Sequence, residues 1–186
     1  MAEAVFENPD LFDLTMSDDA QPLLDAVKKH IKENVDPITE EYHRLGEGRK
    51  ERWGYGDGQL ELLETAKQKA KDSGLWNFFL PDADTGEGLS NLDYAFIANE
   101  LGKSPLASET LNCSAPDTGN MEVRERVGTP EQKEKWLKPL LNGEIRSAFA
   151  MTEPGLPSSD AKNICTEALL EGDEWVINGE KYYISG

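Results

Sequence analysis

The character of this 186-residue chain changes at residues 149–160, FAMTEPGLPSSD. An apolar run ends there in a loop rich in hydroxyls, glycine and proline. Because such a loop is not committed to a strand ladder, its backbone N–H groups and hydroxyls can point at an anionic or heteroaromatic ligand. Composition by itself favours an ordinary turn over such a site, so the meaning of the stretch depends on the sequence around it.

The sequence before this stretch predicts helices. Ser17 is a candidate cap for a first helix, whose apolar stripe ends before Pro37 because proline disrupts a helix interior. A second helix is predicted from Leu60 to a stop at Gly74. Over residues 90–101 apolar side chains cover most of the circumference, which predicts a buried third helix.

A later helix has the most specific start signal. Thr129-Pro130-Glu131-Gln132 has the pattern of a capping box with proline at the first helical position. Four apolar side chains are then expected to face inward: Trp136, Leu137, Leu140 and Leu141. Residues 44–58 hold five glycines without periodicity, and a solvated linker is favoured there over a functional insertion.

Strands are predicted after Asn142. Residues 145–151 carry large apolar residues at even spacing, as in a buried strand, and residues 164–170 and 174–178 are further candidates. Asn178-Gly179 is the strongest hairpin signal, because a type I′ turn requires positive φ at both positions. Alternation along the returning arm would then place Tyr183 and Ser185 on one face.

These patterns predict an α+β fold. An all-helical N-terminal domain is expected over residues 1–144, followed by the start of an antiparallel β domain over residues 145–186. One hairpin and two further strands cannot close a sheet around a core of their own. We therefore expect the β domain to be incomplete and the chain to be truncated.

The charge of the chain argues against two classes of partner. Its 36 acidic residues against 19 Lys and Arg give a formal charge of -17. Nucleic acids and anionic membranes both require basic surface, so neither is expected to bind. The acidic N-terminus does not resemble a secretory or mitochondrial leader, no apolar segment approaches the ~20 residues of a membrane span, and the two cysteines form no disulfide framework. A cytoplasmic location is the simplest expectation.

Familiar catalytic sets do not occur in the sequence. His30 and His43 lie among acidic residues, where solvated surface is favoured over a metal site, so no metal is expected. Cys113 and Cys165 are expected to be buried and inert. No catalytic residue is assigned within this chain.

Several motifs nevertheless follow one another at characteristic intervals. They are APDTGNMEV (115–123), GTPEQK (128–133), WLKPLL (136–141), GEIRS (143–147), MTEP (151–154), SSDA (158–161) and NI (163–164). This succession resembles the acyl-CoA dehydrogenase family, and most nearly its acyl-CoA dehydrogenase 10/11-type subgroup. The resemblance covers nearly the whole chain, and residues 115–185 carry its most specific part.

The resemblance implies a helical N-terminal domain, a β-barrel-like middle domain and a C-terminal four-helix bundle, with FAD between the last two. It implies cofactor contacts by Phe149, Met151, Thr152, Ser158, Ser159, Tyr183, Ile184 and Ser185. Thr152 would hydrogen-bond the pyrimidine edge of the flavin, Tyr183 would pack against its ring, and Ser159 would also bind the acyl-CoA substrate. The family's catalytic carboxylate comes from the C-terminal half, which this sequence does not include.

The activity implied is the α,β-desaturation of acyl-CoA thioesters in fatty acid β-oxidation. An electron-transfer flavoprotein would reoxidise the flavin, and the full-length protein would be a homodimer or homotetramer. The chain alone is expected to be inactive. Two alternatives stay open: a non-catalytic α/β fragment or interaction module, and an acyl-CoA oxidase on the same fold.

Overall fold

A computed structural model describes residues 14–184. The chain divides into two compact units, one ending at Cys113 and the other beginning at Ser114. The first unit contains helices α1 (Gln21–His30), α2 (Asp36–Glu47), α3 (Gln59–Asp72), α4 (Asn91–Leu101) and α5 (Ala107–Thr110). The second contains α6 (Asp117–Val127), α7 (Pro130–Gln132), α8 (Lys138–Asn142), a 3-10 turn (Ala161–Asn163) and strands β1 (Glu167–Glu171) and β2 (Glu174–Asn178).

The core of the first unit lies where α3 packs on α2 and α5, and where α1 packs on α4. Its fully buried side chains are mostly the predicted apolar ones: Val27, Val35, Leu63, Ala70, Phe78, Leu80, Ile97 and Leu111. The hydroxyl of Ser17 accepts a hydrogen bond from the amide of Ala20, but this closes a turn before α1, whose N-cap is Ala20, so the predicted Ser17 cap is wrong. The helical prediction for this region is confirmed.

The predicted end of the first helix before Pro37 is wrong. A π-helical turn, Ile31–Val35, joins α1 directly to α2, and the amide of Asp36 donates to the carbonyl of Ile31. Pro37 consequently falls in the first turn of α2, where its missing N–H costs no hydrogen bond. The π turn Lys133–Leu137 has the same relation to Pro139 at the start of α8.

That second π turn also explains the error at Trp136. The capping box at Thr129 and Gln132 is present as predicted, with both reciprocal hydrogen bonds. The wider π turn changes the rotation per residue, so Leu137 and Leu140 are buried while Trp136 is 43% exposed beneath the amine of Lys135. α4 likewise differs from the prediction of a wholly buried helix, because Phe96 lies on an exposed face.

The β region is a hairpin whose turn lies six residues before the predicted one. β1 and β2 pair antiparallel from Glu167 opposite Asn178 to Glu171 opposite Glu174. Gly172, with φ of 64°, supplies the positive φ that the turn requires, whereas neither Asn178 nor Gly179 has a positive φ. The predicted Asn178-Gly179 turn and its returning arm are therefore wrong.

Residues 145–151 are not a strand either. Among the described residues no strand pairs with them, and Phe149 is 62% exposed although a buried strand was predicted. A segment with evenly spaced apolar residues forms a strand only when a neighbouring strand completes its backbone hydrogen bonds. The fold class itself, helices followed by a small antiparallel sheet, agrees with the prediction.

Candidate functional site

The segment that leads into residues 149–160 is fixed by Asp117 in the first turn of α6. The Asp117 carboxylate, 3% exposed, accepts from the Ser147 amide at 2.8 Å and from the Ser147 hydroxyl at 2.6 Å. Its second oxygen lies 2.7 Å from Nε of Arg146. Asn120, one turn along the same helix, donates to the Ser147 hydroxyl at 2.8 Å. These contacts hold the backbone of residues 146–147 against α6 without any strand pairing.

Glu153 is the centre of the quoted stretch. Its side chain is buried, with 4% of the residue exposed, and it accepts two backbone hydrogen bonds at 2.8 Å, from Cys165 and Thr166. The Thr166 hydroxyl also donates to it, and Nζ of Lys181 lies 2.9 Å from the same oxygen. A buried carboxylate requires such partners, because desolvation without them would favour its neutral form.

These partners set the ionisation of Glu153. The hydrogen bond from Lys181 is the largest cause, followed by that from the Thr166 hydroxyl and the amide of Cys165, and together they lower the pKa of Glu153 to about 2. Glu153 is therefore a fixed anion at neutral pH. A carboxylate with both oxygens engaged in this way is a structural anchor, and it is poorly suited to taking up a proton as a general base.

Lys181 extends the cluster to the end of the described chain. Its amine donates to the carbonyl of Met151 at 2.8 Å as well as to Glu153. The next residue, Tyr182, donates its amide to the carbonyl of Thr152 at 3.1 Å. The segments 151–153 and 181–183 thus lie side by side, although thirty residues separate them in sequence.

This arrangement brings together four of the residues predicted to bind cofactor. Met151 and Thr152 are half-buried on one segment, and Tyr183 and Ile184 are exposed on the other. Tyr183 is 87% exposed, and its ring centroid lies 4.4 Å from that of Tyr182. Ser185 falls outside the described residues.

The other three predicted residues differ in accessibility. Phe149 and Ser159 are exposed. Ser158 is buried, and its hydroxyl accepts from the Glu153 amide at 2.6 Å, which closes the turn between them. Of the two serines, Ser159 therefore has the hydroxyl that is accessible to a ligand.

Tyr183 has an unusual backbone conformation. Its φ of 52° lies in the left-handed region, which a non-glycine residue occupies at a cost of about 1 kcal/mol or more. Residues in such conformations persist where surrounding contacts hold them, and they concentrate at functional sites. The contacts of Lys181 and Tyr182 supply that constraint immediately before it.

Glu153, Lys181 and Asp117 were not singled out in the sequence. A signal for Glu153 was available in the sequence, because it continues the even spacing of Phe149 and Met151 and is a carboxylate in an otherwise apolar pattern. Asp117 gave no comparable signal, because acidic residues are common in the first turn of a helix.

The side chains of the cysteines and histidines have no part in this cluster, to which Cys165 contributes only its backbone amide. Burial raises the pKa of the Cys113 thiol far above its ordinary value, as expected for an inert cysteine. Cys165 is exposed, so the prediction that it is buried is wrong. Residues 14–184 contain no group of three or more His, Cys, Asp or Glu side chains placed to hold a metal, and no helix within them is long and apolar enough to cross a membrane.

Comparison with known proteins gives these features a family context. The family described as acyl-CoA dehydrogenase, N-terminal domain, matches residues 17–144. Acyl-CoA dehydrogenase family member 11 of Gallus gallus is 47% identical over 169 residues, which are 89% of this chain and 21% of that protein. The chain therefore spans about a fifth of the length of this relative.

Solved structures give the same result. A Mycobacterium abscessus chain assigned to the acyl-CoA dehydrogenases superposes with a TM-score of 0.80 at 45% identity, covering 92% of this chain and 43% of that one. An acyl-CoA dehydrogenase from Bacillus anthracis, solved in complex with FAD, superposes with a TM-score of 0.60 at 25% identity, over 91% of this chain and 27% of that one. The family model matches more than half of the chain, and the superposition extends over nearly all of it, so the chain belongs to the acyl-CoA dehydrogenase family.

Proposed function

We propose that this chain is the N-terminal portion of an FAD-dependent acyl-CoA dehydrogenase that α,β-desaturates acyl-CoA thioesters. The observation that carries the proposal is the convergence of Met151 and Thr152 with Tyr183 and Ile184 around the buried Glu153–Lys181 pair. The family match and the FAD complex of the Bacillus anthracis relative support the same cofactor.

The exposed side chains at this site fit a flavin. A planar heteroaromatic ring is bound by flat or apolar surface together with a few hydrogen-bonding groups. Tyr183, Phe149 and Ile184 provide exposed apolar and aromatic surface, and Met151 is half-exposed. When bound, FAD would supply the hydride acceptor that the protein side chains lack.

The residues of this chain would bind and orient the reactants. Thr152 would hydrogen-bond the pyrimidine edge of the ring and Tyr183 would pack on the ring, with Ser185 nearby. Ser159, whose hydroxyl is accessible, would contact both cofactor and acyl-CoA, while Ser158 would support the cofactor loop. The base that removes the substrate proton would come from sequence beyond this chain.

The proposal extends to the organisation of the whole protein. Residues 1–144 would be the helical N-terminal domain and residues 145–186 the beginning of a β-barrel-like middle domain. The full-length protein would act in the cytoplasm in fatty acid β-oxidation, as a homodimer or homotetramer that passes electrons to an electron-transfer flavoprotein.

The test is purification of the full-length protein. We expect it to carry FAD and its flavin absorption to bleach when acyl-CoA is added without oxygen. Peroxide released with no added electron acceptor would instead favour an acyl-CoA oxidase. A protein that purifies colourless, takes up no FAD and never bleaches with any acyl-CoA would contradict the proposal and favour an interaction module.

A further inference from the structure

The two segments that would hold the flavin are joined by few backbone hydrogen bonds. Tyr182 N–H to the Thr152 carbonyl is the one backbone bond between residues 151–153 and 181–183, and the described residues form no strand ladder there. In a paired strand, repeated ladder bonds fix the register, and a slip of one residue turns each side chain to the opposite face. Another interaction must therefore hold Tyr183 in place relative to Met151 and Thr152.

Lys181 supplies that interaction. Its amine reaches across to the other segment at two points, the Met151 carbonyl at 2.8 Å and the Glu153 carboxylate at 2.9 Å. The two acceptors flank Thr152, whose own carbonyl accepts from Tyr182. Three consecutive residues of one segment are thus tied to two consecutive residues of the other.

Other donors hold Glu153 in place, so its carboxylate keeps its position even if Lys181 moves. The backbone amides of Cys165 and Thr166 and the hydroxyl of Thr166 all donate to the carboxylate and fix it in place. The Lys181 side chain is 20% exposed and that of Glu153 5% exposed, so water competes weakly for their contact. The pair therefore differs from the exposed pair of Glu134 and Lys138, whose side chains are 72% and 63% exposed.

We infer that Lys181, together with Glu153, is a positioning residue for the cofactor site. The pair sets the register between the segment bearing Met151 and Thr152 and the segment bearing Tyr183, and it holds Tyr183 in its left-handed conformation. Neither residue needs to touch the cofactor for this role. The inference rests on the proposed binding of FAD. It attributes the geometry of that site to Lys181 and Glu153, which support the site without contacting the cofactor.

The test compares variants of the full-length protein. Lys181→Met keeps the length of the side chain and removes its charge and all three donors. Lys181→Arg keeps a cation with several donors. Lys138→Met is the matched control, because it breaks an ion pair of the same residue types on the exposed surface.

The first measurement is the binding and spectrum of FAD. We expect Lys181→Met to bind FAD about tenfold more weakly or worse, and to lose the fine structure of the bound-flavin absorption band. Lys181→Arg should recover part of the affinity, and Lys138→Met should match the wild type. Far-UV circular dichroism should stay unchanged in all variants, because the helices lie outside the pair.

The second measurement does not depend on flavin. Hydrogen exchange of the Tyr182 amide should accelerate in Lys181→Met and stay slow in Lys138→Met, since the amide is protected only while the segments remain paired. If Lys181→Met binds FAD with wild-type affinity and spectrum, the positioning role is overturned while the proposed function stands. If the wild type binds no FAD, the proposed function fails, and the positioning role fails with it. Unchanged Tyr182 exchange in Lys181→Met would also overturn the role.

Discussion

Gly179 lies directly against Thr166. A Cβ atom at position 179 would stand 2.3 Å from the Thr166 hydroxyl oxygen and 2.8 Å from its Cβ. That hydroxyl donates to Glu153, so the absence of a side chain at Gly179 lets the chain pass close enough for Lys181 to reach the same carboxylate. The glycine is required here by space, not by φ, which is not positive at this position.

Gly179→Ala should therefore destabilise the second unit. The added methyl group must displace Thr166, and overpacking of this kind costs about 1–3 kcal/mol. Gly119→Ala is the control, because Gly119 lies in α6 with nothing within 4 Å of its added Cβ, and alanine there should be neutral or stabilising. Urea denaturation measures both. Equal stability of the two variants would contradict the close approach.

Asp117→Ala should loosen the segment that precedes Phe149. It leaves the Ser147 amide without the carboxylate that accepts from it and removes the contact between Asp117 and Arg146, and loss of such a buried acceptor costs about 1–3 kcal/mol. Glu134→Ala removes an exposed carboxylate from the ion pair with Lys138 and should cost less than about 1 kcal/mol. Chemical denaturation distinguishes the two, and a cost below that of Glu134→Ala would refute the anchoring role of Asp117.

Glu153 should make the protein sensitive to acid. Its pKa is lowered from an ordinary value of 4.5 to about 2, so the unfolded chain binds the proton more readily than the folded one. Its contribution to stability is complete above pH 4.5 and is lost as the pH falls from 4.5 towards 2. In Glu153→Gln the dependence of the urea midpoint on pH in this window should be shallower than in the wild type. A slope identical to the wild type would exclude Glu153 as the source.

His30 should make the stability of the protein depend on pH in a higher range than Glu153 does. Burial lowers its pKa from 6.5, with a smaller effect from Lys69. The Thr110 hydroxyl donates to the Ala107 carbonyl, so it accepts the hydrogen bond from Nε2–H of His30. The side-chain amide of Asn34 then donates to Nδ1, which assigns a neutral ring. Because the pKa of His30 is lower in the folded protein than in the unfolded chain, its contribution to stability is complete above pH 6.5. That contribution is lost as the pH falls below 6.5. His30→Gln should remove this dependence between pH 7 and 5, as measured by thermal unfolding, and a persistent slope would assign it to another group.

Local sequence signals predicted the helices well where the deciding interaction was local. The Thr129 capping box depends on residues three apart, and it occurs as predicted because both partners lie within one turn. The burial of Val27 and Leu63 follows from apolar periodicity in the same way. Pro37 was misleading, because a π turn upstream placed it at a helix start instead of a helix end.

The strand predicted over residues 174–178 occurs as β2, and that over residues 164–170 overlaps β1, but turn placement was less predictable. Asn178-Gly179 has the composition of a hairpin turn, but the pairing of β1 with β2 selects Gly172 and leaves Gly179 pressed against Thr166. Residues 145–151 have a strand pattern without a described strand to pair with. A strand forms only when another segment completes its hydrogen bonds, and local sequence does not identify that segment.

The sequence by itself determined the family resemblance, the helical character of the first two-thirds and the stretch at residues 149–160 where chemistry was expected, because motifs and periodicity are properties of neighbouring residues. Only the tertiary structure revealed that Glu153 is buried, that Asp117 anchors Ser147 and that Lys181 joins two segments thirty residues apart. The physical reason is that a buried charge must find its partners wherever the fold brings donors within hydrogen-bonding distance, and sequence separation does not limit which donors those are.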